Sequence, residues 1–395
     1  MEKSTSFHGD EAFSFPRDPA LGAWYTNEEL EAAIDAIRES MDWRVGFRAK
    51  RYEMEFEDAF ACYVGAQYAV AFNAAGTALD MVFYCLDLEQ GDEVVSCGIN
   101  FVGTHVSVIG QGGRLILCEP DVRTLNIDPA DVERVVTPRT RAILATHMNG
   151  LSVDMDALLE VARRNPHPLY GPPLVIGDAA RACGAMYKGR HVGSQGWATV
   201  FSFQSKKLMT TLGEGGMVTT NDARLTERLR RLRSFGKNQH WGTNCKMSKV
   251  QAAVGLVQLR RLDDMNDRRV VLAAERNRLL GNVSHISVPQ EPEGYRHVYY
   301  RYSILVDREL REKKRDMLMH VLESEYGIGC MVADPPTYVT SQLVHEATLG
   351  QHMPITDEIS DRLLCPSLHP LMTQKENRMI ANAVVKSIGR IIRSD

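Results

Sequence analysis

From about residue 60 to 220 the chain alternates short apolar, β-branched runs with stretches of helical spacing. The runs are DEVVSCGINF, GRLILCEPD, RAILATHMNG, PLVIGDAAR, WATVFSFQS and GGMVTTND. Runs that are apolar on both faces, separated by amphipathic segments, predict an α/β fold with a mainly parallel sheet between helices. From Lys249 the sequence KVQAAVGLVQLRRLDDMNDRRVVLAAERNRLL keeps apolar residues at helical spacing up to Gly281, predicting one long helix that links two domains. Beyond it, HVYYRYSILVD (297–307) reads as a strand, REKKRDMLMHVLESEYGIG as a helix and ENRMIANAVVKSIGRIIRS as a terminal helix. The expected domains are therefore 1–255, an N-terminal arm with the large domain, and 256–395, the linking helix with a smaller α+β domain.

Composition narrows the function classes. The 395 residues carry 44% hydrophobic and 24% charged residues and a formal net charge of -4, which offers nucleic acid or an anionic membrane surface no electrostatic footing. No apolar leader and no membrane-length apolar run is visible, so a cytoplasmic protein is expected. The eight cysteines are widely spaced, without C-x-x-C pairs, and read as reduced thiols rather than a metal site or disulfide framework.

In sheets of this kind ligands sit beyond the carboxyl ends of the strands. Four features fall there. Asn73-Ala74-Ala75-Gly76-Thr77 is a small-residue turn opening a helix, whose free N–H groups suit a phosphate. Phe101, after DEVVSCGIN, can stack on a flat ligand or fill the core. Asp178 ends the strand LVIG beside small residues and needs a cationic or N–H partner, unless it merely caps a helix over AARACG. Lys206 and Lys207 follow FSFQS, and a lysine near a strand end can serve as a nucleophilic amine. An anion cradle, an aromatic platform, a carboxylate and an amine at one sheet edge are the parts that pyridoxal phosphate (PLP) requires.

The motifs, in this order, resemble the DegT/StrS-type sugar aminotransferases, a PLP-dependent family of fold type I, from about Ala23 to Ile392. AAGTALD, GDEVVS, GDAARACGA, FSFQSKK, GEGGMVTTND and GTNCKMSKVQAAVGLVQL carry the likeness. The resemblance implies a large domain with a seven-stranded, mainly parallel sheet. It also implies Gly76, Thr77 and Ser202 on the cofactor phosphate, Phe101 on its ring and Asp178 on its ring nitrogen. Counting from Ser202, the family's cofactor-binding lysine is Lys207, although strict strand alternation would put Ser202 and Lys206 on one face. The assignment needs the chain to leave β geometry near Gln204. Asn244 matches an asparagine that reaches the neighbouring subunit's cofactor, implying a homodimer.

Departures bear on the substrate. Arg181 stands where relatives carry a glutamine on the cofactor's phenolic side, and Lys246 where arginine is common. Tyr300 and Arg301 occupy a region where many relatives carry a sugar-facing histidine, and Met148 replaces a leucine. Tyr300, Arg301, Arg44 and Met148 are the candidate substrate contacts, and Arg181 is a candidate cofactor contact. The resemblance implies transfer of an amino group from glutamate or glutamine to a keto-sugar or keto-cyclitol, in aminosugar or aminoglycoside biosynthesis, with no metal. Its alternatives are a PLP decarboxylase, oxidase or sugar dehydratase on the same fold, or a non-catalytic regulatory relative.

Overall fold

The computed structural model describes residues 14–45 and 51–393, so the reading of residues 1–13 lies outside the described residues. The large sheet has seven strands: β1 (Tyr68–Phe72), β2 (Glu93–Cys97), β3 (Arg114–Cys118), β4 (Thr140–Thr146), β5 (Leu174–Asp178), β6 (Ala198–Ser202) and β7 (Gly216–Thr220). Their order is β1-β7-β6-β5-β4-β2-β3. The pairs β2/β3, β2/β4, β4/β5 and β5/β6 are parallel. Strand β7 runs antiparallel to both neighbours. Core strands β2, β4, β6 and β7 are buried along their whole length, as a sheet covered on both faces requires.

Two helices set the site. Helix α1 (Ala75–Tyr84) follows β1, and α2 (Val102–Gly110) follows β2, so both N-termini open at the carboxyl edge of the sheet. The long helix α3 (Lys249–Leu280) starts at a capping box formed by Ser248 and Gln251, and it passes unbroken through the boundary expected at residue 255. After it, a smaller antiparallel sheet contains Ile286–Ser287, Ile304–Val306, Leu363–Pro366 and Cys330–Met331 in that order.

The stretch 297–307 differs from its expected single strand. Only Ile304–Val306 is extended as a strand, because Tyr299 adopts a positive φ of 47° and breaks the run. A reason lies opposite: Gly150, at φ 102°, approaches so closely that a Cβ there would stand 2.7 Å from the Tyr300 nitrogen. The break turns Tyr300 and Arg301 towards the sheet edge instead of letting them alternate along a strand.

Part of the C-terminal region is fastened to the large sheet. Gln351 spans the edge strand β3, accepting from the Leu117 N–H at 2.7 Å and donating to the Leu115 carbonyl at 2.9 Å. Glu119 accepts from the Thr356 hydroxyl at 2.6 Å and from the N–H groups of Ile355 and Thr356. The cysteines are free, Cys62 exposed and the other seven buried. Among the described residues no helix is long and apolar enough to cross a membrane, and no cluster of ligating side chains could hold a metal.

Candidate active site

Helix α1 begins without a side-chain cap at Ala74, and its first intrahelical bond runs from Ala78 to the Ala74 carbonyl. The N–H groups of Ala75, Gly76 and Thr77 are therefore left for a ligand. Nothing lies within 4 Å of a Cβ built on Gly76, so the space before this turn is open. The Thr77 hydroxyl sits 2.7 Å from Asn73 Oδ1, and the Asn73 N–H donates to the Cys245 carbonyl at 2.9 Å, fixing the turn against the loop that carries Asn244.

Asp178 closes β5 and is buried, yet no helix follows it, so its role as a helix cap is corrected. Its Oδ1 accepts from the Ala180 N–H at 3.0 Å in a tight turn, and its Oδ2 accepts from the Thr104 hydroxyl at 2.7 Å. Both partners are neutral, and no cation pairs with this carboxylate among the described residues. A buried carboxylate in that state has lone pairs to spare for a cationic N–H. Phe101 caps α2 and is 57% exposed as a residue, so it is not a core aromatic.

The lysine segment leaves the sheet at once. β6 ends at Ser202, the Phe203 N–H still bonds Gly215 at 2.9 Å, and then Lys207 N–H turns back to the Gln204 carbonyl at 2.9 Å. Strand alternation therefore no longer governs where Lys206 and Lys207 point. Lys206 Nζ goes to Asp18 at 2.6 Å, whereas Lys207 Nζ lies 5.0 Å from the centre of the Tyr300 ring and has no carboxylate partner among the described residues.

Burial alone would raise the Tyr300 phenol, but the charges of Lys207, Arg301 and Arg181 outweigh it and hold its pKa below the ordinary value. Arg181 is buried and grips Asp334 with both terminal nitrogens, one bond at 2.6 Å, while touching the Met148 sulfur at 3.6 Å. Burial works against the Arg181 charge, and Asp334, Tyr300 and Asp178 together offset it, so the guanidinium is raised above its ordinary value. Arg301 is mostly buried, and its Nε has no hydrogen-bond partner among the described residues.

Arg44 is not brought into this group: it is exposed and folds back on Asp42, with bonds of 2.8 and 2.7 Å. Asn244 is also exposed and its side chain has no partner among the described residues. Lys246 lies over the Phe235 ring at 5.4 Å. Sequence reasoning missed Thr104, Asp334 and Asp18. Only Thr104 carried a local signal, being three residues beyond Phe101 on the helix that faces Asp178.

With that geometry in hand, the chain matches the DegT/DnrJ/EryC1/StrS aminotransferase family over residues 25–385. The chain belongs to this family. It is a PLP-dependent aminotransferase of fold type I. It is 37% identical over 324 residues to the GDP-perosamine synthase of Caulobacter vibrioides, covering 80% of this chain and 84% of that protein. It is 32% identical over 386 residues to the dTDP-3-amino-3,4,6-trideoxy-alpha-D-glucose transaminase of Streptomyces venezuelae, covering 95% and 97%. Among solved structures, S. venezuelae DesV in complex with a ketimine intermediate superposes with a TM-score of 0.81 at 30% identity, covering 94% of this chain and 98% of that one. The aminotransferase from Psychrobacter cryohalolentis gives 0.85 at 28%, covering 93% and 98%.

The site residues of this aminotransferase fit the cofactor on their own chemistry. The uncapped helix start would take the phosphate, the exposed Phe101 would face the ring, the buried carboxylate, whose hydrogen-bond partners are neutral, would take the ring N–H, and the amine with no carboxylate partner among the described residues would take the aldehyde.

Proposed function

We propose that this aminotransferase moves an amino group from glutamate or glutamine to the keto carbon of a nucleotide-linked sugar, with Lys207 as the lysine that holds the cofactor. The observation that carries the lysine assignment is the unequal partnering of the two amines, Lys206 tied to Asp18 and Lys207 free beside Tyr300. The acceptor class rests on the sugar transaminases and synthase to which the chain is similar.

When bound, PLP supplies an aldehyde that captures amines and a ring that takes up electron density from the adjacent carbon. The chain's residues do the rest. The open N–H groups of 75–77 and the Ser202 hydroxyl hold the phosphate, and Phe101 covers one face of the ring. Asp178, kept in place by Thr104, keeps a proton on the ring nitrogen. Lys207 Nζ would take the proton from the donor's α-carbon and give it up within that half of the reaction, and in the second half it would deliver a proton to the acceptor carbon. Arg301, with a buried Nε free to donate, receives an anionic part of a substrate, and Tyr300 and Met148 line the same side.

The exposed Asn244 and the open Phe101 face suit a homodimer in which Asn244 reaches the neighbouring site. The test is a coupled assay with glutamate or glutamine and a nucleoside-diphosphate keto-hexose. Equal amounts of 2-oxo acid and amino sugar are expected. Release of 2-oxo acid with no keto-hexose consumed, whichever nucleotide is attached, would overturn the acceptor class.

A further inference from the structure

Two neighbouring primary amines lie at this site, and the structure treats them differently. The carboxylate of Asp18 accepts from Lys206 Nζ at 2.6 Å and stands 3.9 Å from Arg301. Arg301 and Lys207 in turn lie 5.2 and 5.0 Å from the centre of the Tyr300 ring. Lys206 and Tyr300 line one cavity of about 30 Å³. Lys206 is therefore a partly exposed amine that shares a cavity with Tyr300 and is turned aside by one carboxylate.

Asp18 itself is held in register. The segment around it pairs with the small domain through Phe15, whose N–H donates to the Gly327 carbonyl at 2.7 Å and whose carbonyl accepts from Gly329 at 2.6 Å. At its other end the Gly22 N–H donates to the Ser205 carbonyl at 2.9 Å, and buried Arg269 donates to the Gly22 carbonyl. A Cβ on Gly22 would stand 2.2 Å from the Lys206 carbonyl oxygen, so the arm and the lysine loop lie backbone against backbone. Between these two anchors Asp18 has little freedom to release Lys206.

We propose that Asp18 is a positioning residue that reserves the site for a single amine: by engaging Lys206 it leaves Lys207 alone to condense with the cofactor aldehyde. The inference rests on the assignment of Lys207 made above. An amine attacks an aldehyde through its nitrogen lone pair, forming a C=N bond and releasing water, and Lys206 directs its nitrogen to Asp18 instead. Adjacent lysines at a strand end would otherwise divide the cofactor between two attachment points, only one of which is matched to Asp178 and the phosphate cradle.

The test locates the attachment chemically. The full-length chain is loaded with PLP and treated with borohydride, which delivers hydride to the C=N carbon while the nitrogen takes a proton, fixing the label. Peptide mapping then reports which lysine carries it. The wild type should carry the label on Lys207, and Lys207→Ala should carry almost none. Asp18→Asn/Lys207→Ala should gain label at Lys206 by at least about 10-fold over Lys207→Ala, the scale set by losing one charge-assisted bond. Asp18→Glu/Lys207→Ala should return to the low level.

A double variant that binds PLP non-covalently, melts like Lys207→Ala and stays unlabelled at Lys206 would overturn the role of Asp18. So would Lys207→Ala labelled at Lys206 as fully as the double variant. Label on Lys206 in the wild type would instead overturn the Lys207 assignment itself. Should Asp18→Asn not fold, Asp18→Ser in the same background answers the same question.

Discussion

Thr104 donates its hydroxyl hydrogen to Asp178 across 2.7 Å, joining the first turn of α2 to the last residue of β5 at the carboxyl edge of the sheet. The next residue, His105, is fully buried, with Nδ1 2.8 Å from the Thr337 hydroxyl and Nε2 3.1 Å from Ser96. One turn of helix thus ties the Asp178 carboxylate to the segment around Thr337.

Thr104→Val keeps the shape and removes the donor. A bond to a charged group is worth about 1.5–3 kcal/mol, so cofactor affinity should fall about 10-fold or more, measured by equilibrium dialysis, while Thr104→Ser keeps most of it. Unchanged affinity in the valine variant would show that the bond does not hold Asp178 for the cofactor.

Arg181 and Asp334 form a buried pair between the large sheet's edge and the C-terminal region, with side chains 6% and 14% exposed. Breaking it from one side leaves a buried charge, at about 3–5 kcal/mol. Arg181→Gln or Asp334→Asn alone should lower stability in urea by an amount of that order, and the double variant should recover part of the loss. Additive losses would contradict the coupling.

Burial pushes the imidazoles of His105, His147 and His297 down to about 3. In the unfolded chain each takes a proton as pH falls through about 6.5, while the folded chain stays neutral. The unfolded state then binds more protons, so stability contributed at neutral pH is lost as pH falls from about 6.5 towards 3. Urea midpoints should be level with respect to these groups above about pH 7.5 and decline below it.

Because Phe101 is 57% exposed, Phe101→Ala should change unfolding free energy by no more than about 0.5 kcal/mol yet weaken cofactor binding. A large loss of stability with unchanged binding would reassign the ring to the fold.

Much of the sheet was legible because each core strand is an apolar run bounded by small residues, and the long helix because Ser248 and Gln251 punctuate its start. The sequence also brought Asp178, Phe101, Gly76 and the lysine pair to one edge, since strand order places strand ends together. It misjudged 297–307, where close approach of Gly150 overrides local β preference. The partners Asp18 and Asp334 lie 188 and 153 residues from Lys206 and Arg181, and no local pattern announces such pairings.

The most direct measurement is the visible absorption band of the PLP-loaded protein, followed as glutamate or glutamine is added, with 2-oxo acid quantified in the same sample. The account predicts that the band gives way to absorption in the near ultraviolet, that 2-oxo acid appears in step, and that Lys207→Ala shows neither change. A wild-type band unmoved by both donors, with no 2-oxo acid formed, would contradict it.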